Sequence, residues 1–237
     1  MKFGSVPLDK AEGAFLAHAV QAVDFKFKKG TRLGSPEIAA LQAAGIAEVI
    51  VARLDAGDVA EDEAASRLAA VATHQSVRIA SPSTGRVNIH AESDGLFIVD
   101  REAIDSINKV DPSITIATLA EYAPVSRGQM VATVKIIPFA VPAEKLDAAI
   151  TAANTTQNLL KVAPWAAKPV GLVATELPSL KPEVMDKTAR ILQSRLARSG
   201  STLMKEVRVP HCKDSVADAI KALKDEGGES INVGAFI

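Results

Sequence analysis

The last third of the chain alternates between strand-like and helical patterns, and this alternation restricts the fold more than any other feature of the sequence. Residues 170–174 form a continuous apolar run, which is typical of a strand buried on both faces. A helical period over 182–199, a strand pattern over 203–209, a second helical period over 214–226 and a final strand over 230–236 follow. Strand, helix, strand, helix, strand predicts a parallel sheet with right-handed crossovers.

The rest of the chain has a different pattern, which predicts an N-terminal α+β module. Apolar residues at helical spacing favour a helix over 8–23. Asp58 followed by Glu61 is similar to a capping box that would begin another helix. Short β-rich runs separated by turn residues dominate from the middle of the chain onward. We therefore predict a helical and linker region at 1–75, an α+β domain at 76–164 and an α/β domain at 169–237.

The composition indicates an ordinary globular protein and argues against several function classes. The 27 Lys and Arg residues nearly balance the 28 Asp and Glu residues, so the basic surplus typical of nucleic-acid or membrane-surface binding is absent. No apolar stretch approaches the roughly 18 residues that a membrane-spanning helix needs, and the beginning of the chain lacks the apolar run of a secretory signal. A single cysteine excludes an internal disulfide. We expect a cytoplasmic protein, with neither nucleic acid nor a membrane as partner.

The loop after the first buried strand of this sheet is the strongest candidate site. In open parallel sheets, ligands bind at the carboxyl ends of the strands, where helix N-termini present backbone N–H groups to anions. The segment TELPSLK at 175–181 places Thr175, Glu176, Ser179 and Lys181 at that position. It lacks the glycines of a P-loop or of a dinucleotide fingerprint. A polar connection with capping residues therefore stays open as the alternative interpretation.

The helix after this loop adds two charged candidates. Lys187 would bring positive charge to a phosphate, while Asp186 and Glu176 are the nearest carboxylates for a Mg²⁺ ion. The four histidines show no metal-ligand spacing, so we expect no metal site built on them. His211 and Cys212 are adjacent in an extended segment, where neighbouring side chains point apart, so we expect no pair of nucleophile and base there.

Two further sets of polar residues lie in the middle of the chain. The turn STGR at 83–86 places a glycine beside an arginine, a pattern that suits an anion and is equally typical of a plain hairpin. Thr133 and Lys135 share one face of a predicted strand, where a lysine would line a cleft. These residues are candidates for a second site.

Taken in order, the motifs of this chain resemble those of molybdopterin proteins. KGTRLG at 29–34 and AGIAEVIV at 44–51 resemble the segment that leads into the pterin-binding domain of molybdopterin molybdotransferases. Four further motifs of this chain resemble the molybdopterin-binding half of bacterial proteins tied to molybdenum-cofactor cytidylylation. They are GDVAEDEAA at 57–65, TGRVN at 84–88, ATVKIIPFAV at 132–141 and TELPSLK at 175–181. The resemblance extends over nearly the whole chain.

The resemblance implies a doubly wound molybdopterin-binding domain from about residue 169 onward, behind the N-terminal module. It implies a protein of molybdenum-cofactor biosynthesis that binds molybdopterin, or its molybdate adduct, as a carrier or substrate-presenting domain. Thr175 and Ser179 would donate hydrogen bonds, and Lys181 and Lys187 would neutralise the terminal phosphate. The family's third strand runs into a glycine loop with a downstream Asp, and this chain reaches only the start of that loop. We therefore expect an incomplete domain.

Two alternatives stay open beside the carrier. A molybdopterin-modifying transferase, which inserts molybdate or transfers a nucleotide, would need Mg²⁺ near the phosphate, but the nucleotidyltransferase signature LAAGxSxRxG is absent from the sequence. An assembly module with a vestigial site would bind a cytidylyltransferase or a molybdoenzyme partner. Three strands leave exposed sheet edges, which a second copy would cover, so we expect a homo-oligomer.

Overall fold

The computed structural model describes residues 1–23, 25–157 and 159–234. It divides the chain into two units, Met1–Ala163 and Pro164–Ile237. The fold is mixed α/β, with several sheets whose strands are mostly antiparallel. None of the helices in the described ranges is long and apolar enough to cross a membrane.

The first part of the N-terminal unit is a small antiparallel sheet with one covering helix. Its elements are β1 (Lys2–Pro7), β2 (Phe15–Leu16), β3 (Val20–Gln21), β4 (Lys26–Phe27), α1 (Ser35–Ala43) and β5 (Glu48–Arg53). Strand β5 lies between β1 and β2, and β3 pairs with β4. Helix α1 begins after Gly34, whose backbone N–H donates to the Glu37 carboxylate at 2.9 Å, and Pro36 occupies the first turn.

The helix predicted over 8–23 is wrong. This segment is a short 3₁₀ turn at Leu8–Lys10 followed by β2 and β3. Gly13 has a φ of +78°, which interrupts a helical path. The Leu16 N–H donates to the Thr31 carbonyl at 2.9 Å, so pairing with a distant segment overrides the local helical spacing.

The second part of the N-terminal unit contains its main core. Its elements are β6 (Asp58–Ala60), α2 (Glu61–Ala72), β7 (Val77–Ile79), β8 (Arg86–Ala91), β9 (Gly95–Val99), α3 (Arg101–Asn108), β10 (Ile114–Thr118), β11 (Pro124–Val125), β12 (Met130–Ile136), β13 (Ala140–Pro142), α4 (Ala143–Ala153) and β14 (Leu160–Pro164). Strands pair in the orders β10-β12-β8-β7, β11-β9-β14 and β13-β6. The buried face of α2 is almost all alanine around Leu68, so the helix can lie close to β8 and β12.

The capping box predicted at Asp58 is also wrong. Asp58 lies in β6, which pairs with β13 and keeps the backbone extended as far as Ala60. The helix begins at Glu61, without a side-chain cap. The Asp58 carboxylate instead accepts from the Asp55 backbone N–H at 2.8 Å and pairs with the Met1 ammonium at 2.9 Å.

The C-terminal unit follows the predicted alternation of strands and helices. Its elements are β15 (Pro169–Glu176), α5 (Pro182–Ala197), β16 (Thr202–Pro210), α6 (Lys213–Asp225) and β17 (Ser230–Gly234). The three strands are parallel in the order β16-β15-β17. The central position of β15 explains its apolar sequence, because both edges and both faces are covered. A buried cluster of Val173, Ala219 and Leu223 joins β15 to α6.

The doubly wound sheet implied from residue 169 onward is not evident. The C-terminal unit has a parallel sheet of three described strands, whereas most strand pairs of the chain are antiparallel. The third strand, predicted over 230–236, is described as Ser230–Gly234. Residues 235–237, which include the expected start of the glycine loop, lie outside the described residues.

Candidate functional site

The carboxyl ends of the three parallel strands meet at Thr175. Glu176 at the end of β15 is in register with Pro210 of β16, and Ala174 with Gly234 of β17. The Thr175 hydroxyl donates to the Gly234 carbonyl at 3.3 Å and lies 3.0 Å from Nδ1 of His211. Because a hydroxyl has one proton, the bond to Gly234 makes the Nδ1–H of His211 the donor of the second bond.

Thr175 is therefore buried at the carboxyl edge of the sheet. It is 2% exposed, and both of its polar contacts are made to this chain's own residues. Its hydroxyl ties β15 to β17 and to the residue that follows β16. In this arrangement the hydroxyl fixes the geometry of the carboxyl edge, and a ligand would reach it only by replacing one of these two bonds.

The other loop candidates face solvent. Glu176, Ser179 and Lys181 are exposed, and the turn between them is closed by a bond of 2.9 Å from the Leu180 N–H to the Leu177 carbonyl. Lys181 is the N-cap residue of α5, and its side chain makes no capping hydrogen bond. The loop thus presents a hydroxyl, a carboxylate and an ammonium group at the N-terminus of a 16-residue helix.

Asp186 and Lys187, which follow on α5, turn to different surroundings. The Asp186 carboxylate pairs with Arg208 of β16, and Arg208 also donates to Glu206 at 2.7 Å. These two carboxylates raise the pKa of the Arg208 guanidinium. Lys187 lies on the outer surface of α5, so the structure does not bring it to the same place as Asp186.

Two neighbouring grooves follow α5, and both are lined by Ile191 and Arg195. The outer groove, of about 540 Å³, also has Lys187 and Arg190 along its side. The inner groove, of about 290 Å³, lies between α5 and the sheet and reaches Asn232 of β17. Three basic side chains of α5, those of Lys187, Arg190 and Arg195, line the outer groove, which suits an anionic ligand.

Sequence reasoning did not assign His211 or Arg195 to this site. A signal for His211 exists, because the residue directly after β16 must reach the same sheet edge as the residues that end β15. A signal for Arg195 exists too, since it lies four residues after Ile191 on one helix face. His211 and Cys212 have separate partners: the Cys212 thiol lies 3.0 Å from the Ser215 hydroxyl, a contact that lowers the pKa of Cys212.

The middle candidates take part in strand pairing. Thr84 and Gly85 form a two-residue hairpin turn, with φ of +50° and +71°, between Ser83 and Arg86. The Thr133 hydroxyl bonds to the Asn88 side chain at 2.9 Å. Lys135 of β12 lies in register with Arg86 of β8.

No group of three or more His, Cys, Asp or Glu side chains in the described ranges is arranged to hold a metal ion. Of the predicted Mg²⁺ ligands, Glu176 is exposed at the end of β15, and Asp186 is in the ion pair with Arg208. A Mg²⁺ ion at Asp186 would have to compete with that guanidinium.

Comparison with known proteins gives a short family match and a distant structural likeness. The model of a domain of unknown function (DUF8806) matches residues 5–53, less than half of the chain. No curated protein matches. A molybdopterin biosynthesis MoeA protein from Pyrococcus horikoshii is similar in structure at a TM-score of 0.23 and 11% identity, over 100% of this chain and 62% of that one. This chain thus spans less than two thirds of that protein, and a likeness of this size carries no argument about fold or function.

Proposed function

We propose that the C-terminal unit binds the phosphate-bearing end of molybdopterin, or of its molybdate adduct, as a carrier or substrate-presenting domain. The observation that carries the proposal is the exposed loop between β15 and α5, at the carboxyl edge of the parallel sheet. Ser179 supplies a donor and Lys181 a positive charge beside the N-terminus of α5. The sequence resemblance named above supports molybdopterin as the phosphate compound.

The basic surface of α5 extends this site along the helix. Lys187, Arg190 and Arg195 follow the loop along the outer groove, and the inner groove offers apolar contact at Leu172 and Leu192. A phosphate at the loop would leave the rest of an extended ligand beside these residues. In this proposal Thr175 and His211 hold the strand ends in place, and Ser179 and Lys181 contact the ligand.

We also propose that β15, β16 and β17 are the nucleus of a doubly wound sheet. Val173 contacts Leu223 of α6 on one face of β15. Leu172, the next residue along the strand, lies beside Ile191 and Leu192 of α5. Because neighbouring residues of a strand face opposite sides, the two helices cover opposite faces, as in such sheets.

Binding and positioning fit the described residues better than transferase chemistry. Asp186 pairs with Arg208 rather than standing free to hold Mg²⁺ for a phosphate. An assembly role with a vestigial site makes a different prediction, namely that the chain binds a second copy or a partner enzyme and no pterin. Strands β16 and β17 are the two edges of the described sheet, where such pairing would take place.

The test is a titration of molybdopterin into the full chain, followed by quenching of pterin fluorescence. Replacing Lys181 by Ala should weaken binding about 5- to 10-fold, since one charge-assisted contact to an exposed phosphate is lost. Lys221→Ala, on the exposed surface of α6, is the matched control and should bind as the wild type does. Higher salt should reduce the wild-type affinity and narrow the difference from Lys181→Ala. Equal affinity of the Lys181 and Lys221 variants would refute this assignment.

A further inference from the structure

A cavity of about 310 Å³ in the N-terminal unit brings together four segments that the C-terminal site does not use. The four segments are residues 28–31, the start of α2, the hairpin turn that precedes β8, and Phe139, while Phe15 of β2 completes the lining. Each segment contains one of the motifs noted in the sequence: KGTRLG, GDVAEDEAA, TGRVN and ATVKIIPFAV. The cavity is of the size that small organic ligands occupy.

The central polar group of this cavity is the carboxylate of Glu61. The residue is 8% exposed, and none of the described residues donates a hydrogen bond to its side chain or forms an ion pair with it. The charge of Lys29 acts on Glu61, but the Lys29 ammonium lies over the Phe139 ring, 4.7 Å from its centroid. Burial raises the pKa of Glu61 more than the charge of Lys29 lowers it. The residue is mostly buried while its carboxylate lines the cavity, so a ligand that enters the cavity can reach the carboxylate.

The two oxygens of Glu61 lie against two glycine backbones. A Cβ at Gly85 would lie 2.8 Å from Oε2, and a Cβ at Gly30 would lie 3.6 Å from Oε1. Both glycines have positive φ, at +71° and +81°. The Gly85 N–H is already donated to the Asp62 carboxylate at 2.7 Å, so it does not satisfy Glu61. The backbone thus makes room for the carboxylate and leaves both of its oxygens as free acceptors.

Two free acceptor oxygens on one carboxylate match a pair of parallel N–H donors. The cavity walls add apolar surfaces at Phe15 and Pro82, which suit a planar ring, whereas the Phe139 ring already contacts the Lys29 ammonium and the Phe3 ring. Lys28 and Lys29 place ammonium groups in the same cavity as the carboxylates of Glu61 and Asp62, so a ligand that carries both N–H donors and an anionic arm has a partner for each. We propose that this cavity is a second small-molecule site, for a planar aminopyrimidinone ring whose N–H and amino donors meet Glu61 and whose anionic group meets Lys28 and Lys29.

Guanine nucleotides and pterins share that donor edge, so both are used as probes of the full chain. Calorimetry measures the binding of GMP, IMP and AMP; IMP lacks the amino group and AMP lacks the donor pair. Fluorescence anisotropy measures pterin-6-carboxylate, which carries the same edge and a carboxylate. We expect GMP or pterin-6-carboxylate to bind, with IMP about 10-fold weaker than GMP and AMP weaker still. The tighter of the two probes identifies the source of the ring.

The variant Glu61→Gln removes one of the two acceptors and the charge, and it should weaken the better probe about 10- to 100-fold. Glu63→Gln is the matched control, because Glu63 is an exposed carboxylate on the same first turn of α2. Circular dichroism verifies that each variant folds. The preference for GMP over IMP needs no variant, so it tests the pair of N–H donors on the wild-type protein. Equal binding of GMP and IMP, unchanged binding by Glu61→Gln, or no binding of either probe at millimolar concentration would overturn the proposal. Because Glu61 and Lys181 belong to different units, a loss of probe binding in Glu61→Gln and a loss of molybdopterin binding in Lys181→Ala are separate outcomes.

Discussion

The turn at Gly85 makes a quantitative prediction about stability. Gly85 has a φ of +71°, and a Cβ there would lie 2.6 Å from the carbonyl oxygen of Ile136 at the end of β12. The two backbones are already in contact, because the Ile136 N–H donates to the Gly85 carbonyl at 2.7 Å. The closest obstacle is thus a backbone oxygen in the main sheet, which cannot rotate away as a side chain would, and Oε2 of Glu61 lies 2.8 Å from the same Cβ position.

Gly128 is the matched comparison for this position. It has a φ of +84° in the same unit, but a Cβ there would meet nothing within 4 Å. Gly128→Ala should therefore lower the free energy of unfolding by only roughly 1–2 kcal/mol, which is the cost of placing an L residue in the left-handed region. Gly85→Ala has the same cost and adds overpacking, roughly 1–3 kcal/mol, for a total of about 2–5 kcal/mol.

Urea unfolding of the full chain, followed by circular dichroism, gives the free energy of unfolding of both variants, provided that the dependence on urea concentration has the same slope in each. The expected result is a midpoint for Gly85→Ala clearly below that of Gly128→Ala. If the two variants lose the same stability within about 0.5 kcal/mol, the carbonyl of Ile136 yields at little cost. The close approach of Gly85 to Ile136 would then not limit the side chain at this turn.

Three further predictions concern packing and pH. Leu223→Ala should lower the free energy of unfolding by about 2–5 kcal/mol, because Leu223 is fully buried against β15. Hydrogen exchange should show that the amides of Pro169–Glu176 lose protection while those of the N-terminal unit stay protected. The Met1 ammonium holds the pKa of Asp58 below its ordinary 3.8, so this ion pair stabilises the fold above that pH and its contribution is lost as the pH falls further. In urea titrations, the unfolding midpoint of Asp58→Asn should therefore fall less at acid pH than the midpoint of the wild type. The pKa of Glu61 is raised above its ordinary 4.5, so the wild type should lose stability as the pH rises from 4.5 through that raised pKa. In urea titrations without ligand at pH 7, Glu61→Gln should therefore be more stable than the wild type.

The strands and helices of the C-terminal unit could be predicted from the sequence, because their patterns are local. The apolar run at 170–174 and the helical periods after it each determine one element, and parallel pairing follows from their alternation. The segment 8–23 could not be predicted in this way. Its apolar spacing fits a helix, but Gly13 and the pairing of Leu16 with Thr31 decide its conformation, and that pairing is invisible in a local window.

The candidate sites show the same division between local and distant information. The position of Lys181 at the start of α5 follows from the loop alone. The partners of Thr175 do not, because His211 and Gly234 come to it through strand register. Sequence reasoning assigned Glu61 to a capping box with Asp58 and not to a site, because the contacts of its carboxylate depend on two distant glycine turns.

Glu61 also connects stability with function in this molecule. Core positions are usually filled by groups that stabilise the fold, yet here a buried carboxylate lies among residues with left-handed backbone at Gly30, Thr84 and Gly85. The buried Glu61 and the left-handed backbone of Thr84, which is not a glycine, depart from local rules in one place, and such departures cluster at binding and catalytic sites. A ligand that supplied the missing donors would turn the cost of the buried charge into binding energy. Greater stability and weaker probe binding in the same variant, Glu61→Gln, would identify the carboxylate as retained for recognition, whereas a less stable variant would place Glu61 among the residues that hold the fold together.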